Sequence, residues 1–247
     1  MEVKVGNPPL PASWGIDYGP HPSTTAVLSN VDRAWVVANP DVTWVLVDDL
    51  TNNGPIVVGF DIGMNSMGVA AIWPQAVGGP RIVLMDQVVL PAEKKAKRGE
   101  RSTPYGYGEK LKSLIEFAAV KFAWLKGLVP PPVGLGIEDA FFGLNMYTTK
   151  SLAKTFGAVA CLSIQQLGLV PYEIPHSTAK KTLTGSGKAT KHGIMEAVCW
   201  QFGLSTAGNV DPEGLGLQEH AADAVAVAVA TANKMGLWAG REPQTDP

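Results

Sequence analysis

Asp61 closes a very apolar run, Ile56-Val57-Val58-Gly59-Phe60, and leads into a glycine turn, Ile62-Gly63-Met64-Asn65-Ser66-Met67-Gly68. A carboxylate there is costly to bury unless something cationic neutralises it. Gly63 lets the chain turn close to the Asp with no Cβ in the way. A second carboxylate follows another short apolar run, Val133-Gly134-Leu135-Gly136-Ile137-Glu138-Asp139. Successive strand residues point to opposite faces, so Glu138 and Asp139 cannot serve one site together. Asp139 is expected to face away. The third segment is Glu219-His220-Ala221-Ala222-Asp223-Ala224-Val225-Ala226-Val227-Ala228. It reads as a buried helix on which His220 and Asp223, three apart, share a face. Glu219 lies four before Asp223 and competes with His220 for the same role. Two strand-end carboxylates and an acidic helix face make a cage for hard divalent cations. Mg²⁺ suits such oxygen ligands. Two ions about 4 Å apart clamp the attacking and leaving oxygens of a phosphodiester. An imidazole in the set also predicts that Mn²⁺ substitutes.

Singly, each carboxylate has a plainer fate. Asp before Gly commonly stabilises a turn, Glu138 could pair with a lysine, and Asp223 could be a satisfied helix residue. Asp61-Ile62-Gly63 also fits the phosphate loop of an actin-like ATPase, which needs a second Asp-Gly motif and a second domain. Taken together, their order resembles the RuvC family of Holliday-junction resolvases, within the RNase H-like nucleases. Asp61 matches the family's first-strand acid, Glu138 its fourth-strand acid and Asp223 its final helix acid. His220 falls on the other helix ligand. Phe141 falls on a junction-wedging aromatic and Asn145 on an Asn of the same loop. Ala179-Lys180-Lys181-Thr182 and Gly185-Ser186-Gly187-Lys188-Ala189-Thr190-Lys191 look like the family's basic stretch, with Lys180 and Lys191 at its two DNA-contacting lysines. The resemblance spans about residues 55 to 235. It implies a metal-dependent endonuclease that makes paired nicks in four-way DNA junctions as a homodimer. The helix predicted from Thr148 to Leu167 is the expected dimer surface. The rivals are another RNase H-fold nuclease, acting in viral packaging or on branched DNA, and a junction binder without chemistry.

The chain has 247 residues, 46% of them hydrophobic and 17% charged, enough for a real core and too few charges for a disordered chain. The net charge of -2 does not by itself suggest nucleic acid. Its distribution does. Lys94, Lys95, Lys97, Arg98 and Arg101 crowd one segment, and Lys180, Lys181, Lys188 and Lys191 another. A flexible glycine loop at 185–191 would let lysines meet a DNA backbone, holding it without reading sequence. Cys161 and Cys199 lack C-x-x-C spacing and are expected to be buried thiols. No leader-like start and no membrane-spanning run are evident, so a cytosolic protein away from membranes is expected.

The expected fold class is α/β, an RNase H-like mixed five-stranded sheet flanked by helices, with an N-terminal β-rich extension. From residue 55 the pattern reads as strands at 56–61, 69–73 and 81–90, then a helix at 109–126. A strand at 134–138, a helix at 148–167, a strand at 171–174, a helix at 190–202 and a helix from 219 follow. Residues 55–240 form the nuclease-like domain and 241–247 a tail. Residues 1–54 show strand-like runs at 13–17, 24–28, 34–38 and 42–47. Trp14-Gly15-Ile16-Asp17-Tyr18-Gly19 echoes the first hairpin, which suggests a partial repeat. Asp17 is a poor substitute for Asp61. No helix fits between its candidate strands, whereas one precedes Glu138. An appended β-sheet, packing on the core or on a partner, is the expectation for this segment.

Overall fold

The computed structural model describes residues 25–28, 43–46, 54–75, 79–91, 107–139, 146–204, 212 and 217–238. Among the described residues, seven strands form one mixed sheet: β1 (Thr25–Leu28), β2 (Thr43–Leu46), β3 (Ile56–Ile62), β4 (Ser66–Trp73), β5 (Arg81–Val89), β6 (Pro132–Glu138) and β7 (Tyr172–Ile174). Their spatial order is β1-β2-β5-β4-β3-β6-β7. Strands β3, β4 and β5 form an antiparallel meander, and β6 and β7 continue it in parallel from β3. These five are the strands expected from the sequence.

The two strands described within the first 54 residues do not make a sheet of their own. β1 pairs in parallel with β2, and β2 runs antiparallel to β5, extending the main sheet past its edge. The expected strands at 13–17 and 34–38, the candidate repeat around Asp17 and the tail lie outside the described residues.

Alternation along the strands divides the core. Val57, Ala70, Ile72 and Ile174 face one layer, which holds helices α3 (His176–Thr184), α4 (Lys191–Gln201) and α5 (Glu219–Lys234). Ile56, Val58, Phe60, Val69, Leu135 and Ile137 face the other, which holds α1 (Tyr107–Lys126) and α2 (Met146–Leu167). Phe60 of β3 stacks on Phe122 of α1, with ring centroids 5.2 Å apart. Such a pair adds about 1 kcal/mol beyond its area burial. A buried ion pair between Asp86 of β5 and Lys121 of α1 also ties helix to sheet.

Helix α3 is a correction: the sequence pattern gives no helix between the strand at 171–174 and the helix at 190, and reads Ala179–Thr182 only as part of a basic stretch. The segment is short and polar, and only Ala179 and Leu183 are buried, so its helical period is faint. It ends at Gly185, whose φ of 78° stops the helix in the left-handed region. Thr190 then caps α4, its hydroxyl accepting from the Gly193 N–H at 3.1 Å. Between these caps the glycine loop carries its own hydrogen bonds: the Ser186 carbonyl accepts from the Ala189 N–H at 3.2 Å, and Ser186 exchanges bonds with Thr184. Cys199 is buried as expected. Cys161 is exposed on α2, against expectation, and both thiols are free. No helix among the described residues is long and apolar enough to cross a membrane.

Candidate metal centre and nucleic-acid face

Helix α5 lies on the sheet almost without a gap. Eleven of its sixteen residues are buried. A Cβ at Gly59 would sit 2.2 Å from the Ala224 carbonyl oxygen. Glycine on the strand and Ala on the helix therefore allow a backbone-to-backbone approach that larger residues would forbid. Gln87 of β5 closes the helix start. Its Oε1 accepts from the His220 N–H at 2.9 Å and the Ala221 N–H at 3.3 Å, satisfying donors that a helix leaves unpaired in its first turn. The Gln218 side chain makes no such cap.

This packing brings the three sequence segments to one place. Phe60 of β3 is in register with Ile137 of β6, so Asp61 and Glu138 sit side by side one residue further on, on the face that carries α5. His220 and Asp223 meet them from the helix. His220 Nδ1 lies 2.8 Å from Asp61 Oδ2. Ligand atoms of Asp61, His220 and Asp223 all fall within 4.8 Å of one another. Glu138 joins this cluster through Asp61. On its other flank it is hydrogen-bonded to His176 Nδ1, at the first turn of α3.

The electrostatics show a centre short of positive charge. Burial would raise Asp61, but hydrogen bonds with His220 and Glu138 and the charges of His220 and His176 hold it below the usual carboxylate range. Burial, then hydrogen bonding with and repulsion from Asp61, and repulsion from Asp223, push Glu138 up to about 10. Burial and the Asp61 charge push Asp223 up to about 6, against the pull of His220, Lys180 and Lys191. Clustered carboxylates that cannot all ionise are what a divalent cation relieves. Oxygen and imidazole donors on one partly buried face suit a hard or borderline cation.

The remaining candidates fall into three groups. Glu219 pairs with Lys191 rather than joining the cluster. Asp139 is exposed and its N–H donates to the Ile174 carbonyl at 2.9 Å, as a residue facing away would. Lys180 of α3 is half-buried and donates to the Ala189 carbonyl at 3.0 Å, anchoring the α3–α4 loop. Its charge acts on Glu138, Asp223 and His176. Lys181, Lys188 and Lys191 are exposed around it. Phe141, Asn145, Lys94, Lys95, Lys97, Arg98 and Arg101 lie outside the described residues. His176 and Gln87 were missed in sequence. Glu138 and His176 stand 38 residues apart, and Gln87 and His220 stand 133 apart. No local spacing signals either pair.

The family model for crossover junction endodeoxyribonuclease RuvC matches residues 109–231. RuvC from Treponema denticola is 28% identical over 182 residues, covering 74% of this chain and 88% of that protein. The chain belongs to the RuvC family. RuvC from Wolinella succinogenes is 34% identical over 103 residues, 42% of this chain and 58% of its own length. Among solved structures, T. thermophilus RuvC in complex with Holliday junction substrate aligns with a TM-score of 0.54 at 19% identity, covering 76% of this chain and all of that one. That likeness supports the RNase H-like fold. The RuvC family model takes in Glu138, His220 and Asp223. RuvC nucleases are metal-dependent, and the cluster on α5 and β3 provides an acidic centre of the right kind.

Proposed function

We propose that this chain is a metal-dependent endonuclease that resolves four-way DNA junctions by paired nicks. The observation that carries the reading is the convergence of Asp61, Glu138, His220 and Asp223 on one face of the sheet, beside the lysines of α3. Asp61, held below the usual carboxylate range by its hydrogen-bond partners and the nearby imidazoles, is ionised and central. Glu138, Asp223 and His220 flank it and complete a set for two Mg²⁺ ions. When bound, such a pair supplies Lewis acidity to activate water and to stabilise the leaving 3′ oxygen.

The protein's own part is to place these groups and hold the DNA. Close packing of α5 on β3 and β4 fixes His220 and Asp223 against the two strand carboxylates. Lys180, anchored to the Ala189 carbonyl, supplies fixed positive charge within range of the cluster. Lys181, Lys188 and Lys191 present exposed ammonium groups for neighbouring phosphates. Phe141 and Asn145 are assigned to the junction on the family resemblance alone, as are Lys94, Lys95, Lys97, Arg98 and Arg101 on their charge.

The near-twofold symmetry of a junction calls for a twofold dimer. Helix α2 offers an exposed row for it: Ala153, Gly157, Cys161 and Ile164, at helical spacing, with Ile164 51% exposed. The enzyme would act on intracellular DNA in the cytoplasm. A nicking assay tests the reading, using a synthetic four-way junction, a flap and a linear duplex, with and without Mg²⁺. Mg²⁺-dependent paired nicks confined to the junction are expected. Equal cleavage of flap and duplex would assign the chain to a different RNase H-fold activity. Cleavage in a chelator would overturn the metal mechanism.

A further inference from the structure

Glu138 is held from a second side by a residue that the metal cage does not require. β6 pairs in parallel with β7, with Glu138 opposite Ile174. Only Pro175 separates Ile174 from His176, which opens α3. Ala179 and Leu183, buried against the core, fix the rotation of that helix. His176 and Lys180 therefore share a face, one turn apart. The His176 imidazole reaches Glu138 Oε1 through Nδ1.

His176 and His220 are not equivalent. His220 stands within the tight group with Asp61 and Asp223, and His176 stands outside it. Its side chain is 51% exposed, whereas that of His220 is 26% exposed. A carboxylate that ligates a cation needs only one oxygen to do so. Its second oxygen is free to turn unless another group holds it. Hydrogen bonds of this outer kind orient ligating side chains, and their loss commonly costs 10–100-fold in metal affinity.

We propose that His176 is a positioning residue for Glu138: its Nδ1–H holds Oε1 and leaves Oε2 for the cation. This rests on reading Asp61, Glu138, His220 and Asp223 as the metal centre. An ionised carboxylate can only accept, so the cation-bound state requires the proton on Nδ1. Asn can offer an amide N–H near the position of Nδ1 but is a poor ligand for a transition metal. Ala offers neither.

The test is Mn²⁺ binding by calorimetry to the full-length, DNA-free protein, comparing native, His176→Ala, His176→Asn and Asp61→Asn. Folding of each variant is checked by near-UV circular dichroism. His176→Ala is expected to weaken Mn²⁺ by about 10-fold or more, and His176→Asn to return to within about threefold of native. Four-way junction affinity in a chelator should be the same for native and both His176 variants. Native Mn²⁺ affinity in His176→Ala would overturn the proposal. So would His176→Asn as weak as His176→Ala, because a ligand or a packing role would not be rescued by an amide. Asp61→Asn is the control for the centre itself. Undiminished Mn²⁺ binding there would show that the metal-site reading has failed, independently of His176.

Discussion

A Cβ placed on Gly68 would fall 1.9 Å from the carbonyl oxygen of His220. The residue that anchors one corner of the proposed metal centre therefore rests directly on strand β4. Gly68→Ala cannot be relieved by turning a side chain, because the clash is with backbone. It must lift the first turn of α5 away from the sheet. We expect a stability loss of about 1–3 kcal/mol together with weaker divalent-metal binding. Gly108→Ala, on a helix with nothing within 4 Å, should instead be neutral or stabilise by about 0.5 kcal/mol. Chemical denaturation of both variants makes the comparison. Equal behaviour would mean that α5 is not seated as tightly as the packing implies.

Asp61→Asn, Glu138→Gln and Asp223→Asn should each reduce junction cleavage by about 10³-fold or more, since each removes a metal-facing charge worth several kcal/mol in the transition state. Junction affinity should change little, because on the proposed reading the lysines rather than these acids hold phosphate. Gel-shift and single-turnover cleavage on the same junction separate the two effects. Full cleavage by any one variant would remove that residue from the centre.

Metal-free protein should become less stable as pH rises from about 5 to 8. Glu138 and Asp223 are held above their ordinary values, Glu138 at about 10 and Asp223 at about 6. Folding therefore takes up protons, and the associated stability is lost as pH climbs from the unfolded values, about 4, through the folded ones. Asp61 has the opposite sign. Its depressed value favours the fold above about pH 4 and loses that benefit only in stronger acid. A divalent cation displaces the shared protons, so it should restore the melting temperature at pH 8 more than at pH 5. About one proton, chiefly from Glu138, should be released per site at pH 7. Calorimetry in two buffers of different ionisation enthalpy counts it. No proton release would contradict the carboxyl pairing.

Lys180→Ala and Lys191→Ala should weaken junction binding and flatten its salt dependence. Each lost phosphate contact lowers the log–log slope by about 0.9 on duplex arms. Lys191 is ion-paired with Glu219 in the free protein, so Glu219→Gln should tighten binding slightly at low salt by freeing that ammonium. A slope unchanged in both lysine variants would take α3 and the start of α4 off the DNA path.

Much of this molecule is legible in its sequence, and the illegible part has a common cause. Strands β3 to β7 and helices α1, α2, α4 and α5 announce themselves through apolar period and breakers. The acids Asp61, Glu138 and Asp223 announce themselves only through their order, since each alone has a plainer reading. What sequence hides are contacts between distant segments. The Gly59 and Gly68 clearances depend on where α5 lies. The Asp86–Lys121 pair is buried inside what reads as an ordinary amphipathic helix and strand. His176 meets Glu138 only because β7 pairs with β6 in one register. Helix α3 itself is too short and too polar for its period to stand out. At the N-terminus the strands at 24–28 and 42–47 were legible, but their joining of the main sheet at β5 was not, because edge pairing leaves no mark in either strand's composition.

His220 carries the sharpest prediction, because it is where the cage departs from carboxylates alone. Its imidazole bonds Asp61 at 2.8 Å and belongs to the cluster that Glu219 does not join. A neutral imidazole brings no negative charge to offset two cations, and it favours transition metals over Mg²⁺. Mn²⁺ should therefore support cleavage at least as well as Mg²⁺. His220→Asp should keep activity and move the preference toward Mg²⁺, by restoring an oxygen ligand and a charge. His220→Ala should cripple cleavage, because it leaves Asp61 without its partner and the cage one ligand short. Glu219→Gln should retain most activity, since its carboxylate is engaged with Lys191. A titration of all three variants against both metals decides the matter. If Glu219→Gln alone abolishes cleavage at every metal concentration while His220→Ala remains active, the ligand is Glu219 and the imidazole only packs.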